Sequence, residues 1–285
     1  MPKNKGKWDL VISAENNWLK LKVKELWDYR DLLWILVEKE YKTYYKQTIL
    51  GPIWFIVQPT ITMIIFAFIF NKIAKIDTND TPPYLFYLSG IIAWNYFSDC
   101  LTSTSSTFTA NVNIFGKVYF PRIIIPLSKV IAGLIKFFIQ LFLFFCIYFY
   151  FIQIIGISLK PSLDAILFIP IMIIQMIFLG LGFGMIFSSL TIKYRDLTYL
   201  ASFGTQLLMY GSPIIYPLST VPEKYKYLIM INPMTSIIEG FRYTLLEEGF
   251  YNFNHSLYSF TISFLVFILG LIIFNKFEKT FMDSV

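Results

Sequence analysis

The sequence is poor in charged residues. Aspartate, glutamate, lysine and arginine make up 15% of its 285 residues, whereas 56% are hydrophobic and 19% are aromatic. Soluble domains average about 25% charged and about 45–50% apolar residues. A soluble enzyme of this length would carry far more surface charge, so the composition argues against that class and indicates a protein embedded in a lipid bilayer.

Cysteine and histidine are also scarce, and those present form no catalytic or metal-binding pattern. Cys100 and Cys146 lie in separate apolar runs without a CxxC pair, which is typical of small buried side chains. The only histidine, His255, lies alone in the polar turn YNFNHS. The sequence shows no Ser/His/Asp set and no paired carboxylates, so we expect neither a metal site nor catalysis in this chain.

A nucleotide-binding motif is missing as well. The glycine-rich stretch FLGLGFGMIF lacks the GK[ST] that completes a P-loop, and it lies inside an apolar run. Glycines in such a run predict close packing of a neighbouring helix. We therefore expect this chain to bind no nucleotide and no cofactor.

Long apolar runs are what the sequence has in abundance. Crossing a bilayer takes about 20 residues, and the candidate spans are about 53–71, 84–107, 123–154, 164–190, 197–216 and 256–275. The second run turns polar in SDCLTSTSSTFTANVN, where we expect hydroxyls to bond back to their own helix or to face neighbouring helices. The sequence thus predicts an all-α integral membrane protein, with an N-terminal cytoplasmic region at 1–50 and a six-helix transmembrane domain at 51–285.

Lysine and arginine lie mainly on one side of this predicted topology. Six spans put both termini on the same side as the connections 108–122 and 191–196, and this side holds most of the basic residues outside the spans. Because basic residues accumulate on the cytoplasmic side of a membrane, both termini are predicted to be cytoplasmic. The net charge of +6 fits contact with anionic lipid headgroups better than binding of nucleic acid.

The segment before the first apolar run shows a helical period. Apolar and aromatic residues between Leu26 and Tyr44 recur at steps of three and four, and lysines fall between them. Such a helix lies flat among lipid headgroups. Its position directly before Gly51 and Pro52 favours this interpretation over an ordinary packing helix. The predicted interface residues are Trp34, Glu38, Tyr41 and Tyr45.

The longest outer connection, about 217–255, contains two partly apolar pieces between the proline breaks SPIIYP, TVP and INP. Pieces too short to span predict re-entrant or surface-lying helices at the outer side. Glu239 and Arg242 are three residues apart on the second piece and predict an ion pair on a helix surface.

Two ionisable residues lie within the predicted spans. Asp99 and Lys136 each fall about 15 Å from the inner end of antiparallel neighbouring helices, at 1.5 Å per residue. Unpaired charge at this depth is costly, so we expect the two side chains to pair with each other. The alternative is that either one faces a wet cavity alone.

Four motifs occur in order along the chain: YKQTILGPIWFIVQP, NIFGKVYFPRIIIPLS, KYRDL and SPIIYPLSTVPEKYKYLIMINPMTSIIEGFR. With them the chain resembles the permease subunit of bacterial ABC exporters for polysaccharides, which serve O-antigen, capsule and teichoic acid systems. The opening WDLVISAENNWLKLKVKELWDYRDLL looks most like the O-antigen type.

This resemblance implies a type-2 ABC exporter permease with six spans, an interface helix and re-entrant outer helices. It implies a homodimer in the bacterial inner membrane that works with two copies of a separate ATPase subunit, which binds ATP and magnesium. The implied substrate is a lipid-linked polysaccharide.

The resemblance also assigns the element at 113–122 to contact with the ATPase. The alternative is an amphipathic turn that rests on lipid headgroups. The turn KYRDL matches a second position near the ATPase, although Arg195 and Asp196 equally suit the capping of adjacent helices. The implied coupling residues are Asn113, Phe115, Lys117, Tyr119, Phe120, Arg122, Tyr194, Arg195 and Asp196.

A sugar chain needs surfaces on which it can slide, and aromatic faces pack against sugar C–H groups. The alternative for such rings is an interfacial aromatic belt or contact with lipid. The candidates for the translocation path are Trp54, Phe55, Gln58, Trp94, Tyr96, Phe97, Tyr210 and Tyr216.

Other functions fit the sequence less well. A drug or lipid exporter of the same fold is the nearest alternative, while the aromatic density and the YKQTILG opening favour a glycan. An ion-coupled transporter would show acidic residues deep in the membrane on broken helices, or an inverted repeat, and we find no clear repeat in the sequence. A membrane glycosyltransferase would show clustered acids at a membrane face.

Overall fold

The computed structural model describes residues 23–46, 49–79, 81–115, 117–118, 120–156 and 163–284. The regular secondary structure of these residues is entirely helical, without a strand, as the sequence predicts. Its helices are α1 (Val23–Asp28), α2 (Arg30–Lys46), α3 (Trp54–Phe66), α4 (Pro83–Ser105), α5 (Thr107–Ala110), α6 (Val112–Phe115), α7 (Ile124–Tyr150), α8 (Leu163–Thr191), α9 (Leu197–Tyr210), α10 (Glu223–Ile231), α11 (Pro233–Leu246) and α12 (Phe253–Ser284).

Some helices are extended by turns of other types. A 3-10 turn at Gly51–Ile53 leads into α3, and Gly51 supplies the positive φ of 52° that this entry requires. Wider π-helical turns continue α3 through Ala67–Ile73 and α7 through Phe151–Ile155. A 3-10 turn at Leu218–Thr220 precedes α10.

Among the described residues, four helical stretches are long and apolar enough to cross a membrane: Gly51–Ile73, Ile124–Ile154, Leu167–Thr191 and Phe253–Glu278. They match four of the predicted spans. The other two differ, since α4 has 23 residues but a polar inner half, and α9 has 14 residues, fewer than the roughly 20 that a perpendicular span needs. The count of six spans therefore stays a prediction.

Helix α4 lies at the centre of the bundle and packs against α3, α7, α8, α9 and α11. Every residue from Leu85 to Trp94 is buried. The hydroxyl-rich inner half bonds back to its own helix as predicted: Thr102 Oγ1 donates to the carbonyl of Ser98 at 2.8 Å, and Ser105 Oγ to that of Thr102 at 2.8 Å. These bonds satisfy hydroxyls that would otherwise be stranded in the membrane.

The glycine-rich stretch of α8 packs closely against two helices, as the sequence predicts. A Cβ on Gly180 would lie 2.5 Å from Cys100 Cβ, and one on Gly184 would lie 2.5 Å from Thr104 Cβ, both on α4. On the other side, a Cβ on Gly182 would lie 2.7 Å from the carbonyl of Val266 on α12. The three glycines thus let α8 pack closely against both α4 and α12.

At the outer end, α10 and α11 have 9 and 14 residues, so both are too short to span a bilayer alone. Asn232 separates them, and its side-chain oxygen accepts a hydrogen bond from the Met234 amide at 3.0 Å and caps α11. Helix α11 is buried along almost its whole length, against α4, α8 and α12. The predicted short outer helices are thus present, and α11 belongs to the core.

Candidate functional site

The inner loop, residues 111–123, leads from α5 to α7, includes α6 and contains most of the predicted coupling residues. Phe115 and Phe120 are buried, with ring centroids 5.9 Å apart. Phe108 lies 5.8 Å from Phe115 and stacks on Phe274 of α12 at 4.7 Å. These rings therefore fix the loop to the last helix and are not available on its surface.

Arg122 is also buried. Its Nη1 donates to the carbonyl of Glu278 on α12 at 2.6 Å, its Nε lies 3.8 Å from Glu278 Oε1, and its guanidinium lies 5.1 Å from the Phe115 ring centroid. An arginine beside the apolar run IIIPLS needs such partners, because a buried charge without them is costly. Phe115, Phe120 and Arg122 therefore anchor the loop through buried contacts, and their predicted contact with the ATPase stays a prediction.

The exposed tip of the inner loop is small. Lys117 is exposed, and Val118 is 60% exposed. The side chain of Asn113 and the whole of Tyr119 lie outside the described residues. Sequence reasoning missed Glu278, although its position on the same predicted cytoplasmic side made it a candidate partner for Arg122.

The second predicted coupling turn follows α8, whose last residues contact the end of α4 and the start of α5. Thr191 Oγ1, at the end of α8, donates to the carbonyl of Ser105 at 3.3 Å, and Ser188 Oγ accepts from the Phe108 amide at 3.4 Å. The residues Tyr194, Arg195 and Asp196 are exposed, and the Asp196 side chain makes no capping hydrogen bond to α9. The geometry therefore gives no support to the capping interpretation of Asp196 and leaves this turn open to a partner.

Helix α2, the predicted interface helix, packs on α7; its Val37 is buried, while Trp34 is 62% exposed. Tyr41 is half-buried, and the side chain of Tyr45 lies outside the described residues. Lys42 pairs with Glu38 one turn earlier. This hydrogen bond and the positive charge of Lys42 lower the pKa of the Glu38 carboxyl below its ordinary value.

Asp99 and Lys136 pair between α4 and α7, as the sequence predicts. Lys136 Nζ on α7 donates to Asp99 Oδ2 on α4 at 2.7 Å, and it lies 5.9 Å from the ring centroid of Phe55 on α3. The Asp99 side chain nevertheless remains 45% exposed. Two helical turns before Lys136 on α7, Lys129 Nζ donates to the carbonyl of Ser103 at 2.8 Å.

The aromatic residues predicted to line a path fall into two groups. Trp94, Tyr96, Phe97 and Phe55 are buried in the core; Tyr96, for instance, donates to the carbonyl of Val130 at 3.4 Å. A ring enclosed by protein has no face for a sugar, so this burial argues against a lining role for these four.

The other candidates are accessible. Trp54 and Gln58 on α3 are exposed, as is Tyr210 at the end of α9, and Tyr216 is half-buried. These four side chains are therefore accessible to a passing polymer.

Glu239 and Arg242 pair at 2.9 Å, but the prediction that they lie on a helix surface is wrong. The side chain of Arg242 is 1% exposed and that of Glu239 is 3% exposed. Arg242 Nη2 donates to the carbonyl of Ile214 at 2.9 Å, and its guanidinium lies 3.6 Å from the ring centroid of Phe86. The spacing predicts the pair, but the burial arises from segments distant in sequence.

Glu239 links further segments to the same pair. Its Oε2 accepts a hydrogen bond from the Phe250 amide at 2.9 Å, and its Oε1 lies 3.4 Å from the Leu218 amide. The pair thus joins the start of α4, the turn after α9, α11 and the connection to α12. This arrangement fixes the outer end of the bundle.

No group of three or more metal-ligating side chains occurs among the described residues. Polar and ionic contacts join the helices, and exposed residues lie in the turn after α8.

Comparison with known proteins finds a matching family model and several similar proteins. The family model for ABC-2 type transporters matches residues 31–246. The O-antigen export system permease protein RfbA of Klebsiella pneumoniae is 32% identical over 254 residues, which cover 89% of this chain and 94% of that protein.

More distant relatives cover similar lengths. The O-antigen export system permease protein RfbA of Myxococcus xanthus is 27% identical, covering 79% of this chain and 84% of its own length. The polysialic acid transport protein KpsM of Escherichia coli is 22% identical, covering 86% and 93%.

Proposed function

Because the chain belongs to the ABC-2 type transporter family, we propose that it is the permease of an exporter for a lipid-linked polysaccharide of the O-antigen type. The observation that carries the proposal is the 32% identity to an O-antigen export permease over 89% of the chain. The all-helical architecture and its four long apolar helices support it.

In this proposal, the chain is the transport subunit and a separate ATPase is the motor. Two copies of the chain form the passage in the bacterial inner membrane with both termini in the cytoplasm, and two ATPase subunits bind ATP and magnesium. The exposed tip at Lys117 and Val118 and the turn at Tyr194–Asp196 contact the ATPase. Their exposure supports this assignment, and so does the contact between the ends of α8 and α4, from which the two segments lead.

Closure of the ATPase then pushes on the inner loop. Arg122 and the ring pair Phe108–Phe274 join this loop to α12, so the push moves the loop and α12 together. The two permease copies separate, and a route opens between them. Trp54, Gln58, Tyr210 and Tyr216 remain candidates to line it, since they are accessible.

Deletion of the gene tests the proposal. The lipid-linked glycan is expected to accumulate on the inner leaflet of the deletion strain and to return to the surface when the gene is restored. Unchanged surface glycan together with altered drug tolerance would contradict the proposal and favour a drug or lipid exporter.

A capsule or teichoic acid cargo is the alternative within the same function. The 22% identity to the polysialic acid transport protein supports it less strongly than the 32% identity supports O-antigen. Chemical analysis of the glycan that accumulates on deletion distinguishes these cargoes.

A further inference from the structure

One face of α4 is apolar and buried in the first half of the helix, and polar and partly exposed in the second half. Between Leu85 and Ser106, every partly exposed residue is polar and every other residue is buried. We call this face the polar stripe; its members are Asn95, Ser98, Asp99, Thr102, Ser103 and Ser106. Their spacing of three and four residues places them on one side of the helix.

The same side of α4 is apolar and enclosed in the outer half of the helix. Leu88, Ile91 and Ile92 precede Asn95 by helical steps and are buried. Asn95 lies ten residues before Ser105, the end of α4, which is about 15 Å at 1.5 Å per residue. The polar stripe therefore begins near the middle of the bundle and leads to its inner end, next to the inner loop.

Contact between this polar surface and lipid hydrocarbon is energetically unfavourable. Large apolar side chains are exposed on other helices, as at Ile61 and Ile64 on α3. In the polar stripe, the Asp99 side chain is 45% exposed although it pairs with Lys136. A carboxylate at this depth faces protein or water because exposure to hydrocarbon is costly.

The hydrogen-bonding groups of the polar stripe are mainly acceptors. The hydroxyls of Thr102, Ser103 and Ser106 donate to carbonyls of their own helix, so their oxygen lone pairs face outward. The Asp99 carboxylate has further acceptor capacity beside its bond from Lys136. A ligand rich in hydroxyl donors matches this surface.

We propose that the polar stripe forms the wall of an aqueous vestibule open to the inner side and binds the hydroxyl groups of the sugar chain there. The inference rests on the proposed function and adds the site at which the cargo meets polar rather than aromatic side chains. A two-fold contact with a second copy fits less well, since it would place acceptors against acceptors and Asp99 near its own equivalent.

Cysteine labelling tests the proposal in the assembled transporter. Asn95→Cys, Ser98→Cys and Thr102→Cys are made in a Cys146→Ser background, in which Cys100 remains buried. Inside-out vesicles are treated with a charged, membrane-impermeant methanethiosulfonate, which reacts with hydrated thiolates. The matched control is Phe138→Cys, an exposed apolar position ten or more residues from the inner end of α7.

The proposal expects all three stripe positions to react at least about tenfold faster than the Phe138→Cys control. It also expects slower labelling in vesicles from cells that make the glycan than in vesicles from cells in which its synthesis is blocked. Labelling that is unaffected by the glycan overturns the assignment of the ligand.

Failure to label overturns the vestibule. Disulfide cross-links between two copies at Thr102→Cys would show that a second copy covers the polar stripe, and no reaction of either kind would show contact with lipid. Failure of the vestibule and failure of the proposed function can be told apart. Labelling in glycan-free vesicles measures access of water to the polar stripe whatever the cargo is, whereas the gene deletion tests the cargo.

Discussion

Glu239 and Arg242 hold opposite charges in a place that excludes water. Each makes hydrogen bonds to backbone groups in addition to the ion pair: Glu239 to the Phe250 amide and Arg242 to the Ile214 carbonyl. Taking two charges out of water is costly, so the pair is stable only as a unit with these extra bonds. It serves to hold four separate segments in one arrangement at the outer end.

Replacing one residue of the pair tests whether the buried charge of the other depends on it. Glu239→Gln leaves the buried guanidinium of Arg242 without its counter-charge, and breaking such a pair costs about 3–5 kcal/mol. We expect a clearly lower thermal unfolding temperature for the purified chain, measured by tryptophan fluorescence in detergent. The double variant Glu239→Gln/Arg242→Met should recover much of the loss, since no unpaired charge remains.

The exposed pair Glu38–Lys42 supplies the control. Glu38→Gln removes an ion pair of the same kind from the surface, where it contributes little. The unfolding temperature should stay unchanged. A loss in Glu239→Gln no larger than that in Glu38→Gln would contradict the role of the buried pair.

Among the helices, α12 is the element through which the inner loop reaches the rest of the bundle. It packs along α8, where Gly182 permits close contact, and it receives Arg122 near its C-terminal end. Movement of the inner loop is thereby transmitted to a helix that crosses the whole bundle. Two predictions concern the two ends of this connection.

Gly182→Ala tests the contact between α8 and α12. The added Cβ would lie 2.7 Å from the Val266 carbonyl, and backbone atoms cannot move aside as a flexible side chain can. Overpacking of this kind costs about 1–3 kcal/mol, so we expect a lower unfolding temperature. Gly204→Ala on α9 is the matched control, because no atom lies within 4 Å of its added Cβ; equal effects of both changes would contradict the prediction.

Arg122→Gln tests the attachment of the inner loop. The change removes the charged hydrogen bond to the Glu278 carbonyl, worth about 1.5–3 kcal/mol, so we expect export to fall about tenfold or more while the ATPase still copurifies. Glu278→Ala should have a smaller effect, since Arg122 Nη1 bonds to the backbone carbonyl of Glu278. The measurements are copurification of the ATPase and surface glycan, taken on the same cells.

Lys117→Ala provides the contrast. Lys117 is exposed at the tip, so its loss should weaken copurification of the ATPase and leave folding intact. Loss of ATPase binding in Arg122→Gln equal to that in Lys117→Ala would show that Arg122 contacts the partner directly.

For the whole molecule, sequence patterns predict what depends on local composition and miss what depends on distant segments. Hydropathy identifies the four long apolar helices, and the proline breaks locate α10 and α11. The pairing of Asp99 with Lys136 follows from matching depths on adjacent helices. The anchoring of Arg122 by Glu278 joins residues 156 positions apart, and no local pattern specifies such a contact.

The number of spans is the main global feature that composition leaves open, because α4 is half polar and α9 is short. Labelling from each side of the membrane decides it, in a Cys146→Ser background. Lys117→Cys and Tyr225→Cys place reactive thiols on exposed residues of the inner loop and of α10. If all six helices cross, three crossings separate the two positions, so they lie on opposite sides.

With six spans and cytoplasmic termini, an impermeant thiol reagent should label Tyr225→Cys in intact spheroplasts and Lys117→Cys only in inside-out vesicles. If only the four apolar helices cross, two crossings separate the positions and both would react from the same side. Labelling of both in spheroplasts would therefore remove α4 and α9 from the membrane-crossing set. It would also move the inner loop to the outer side, away from any cytoplasmic ATPase.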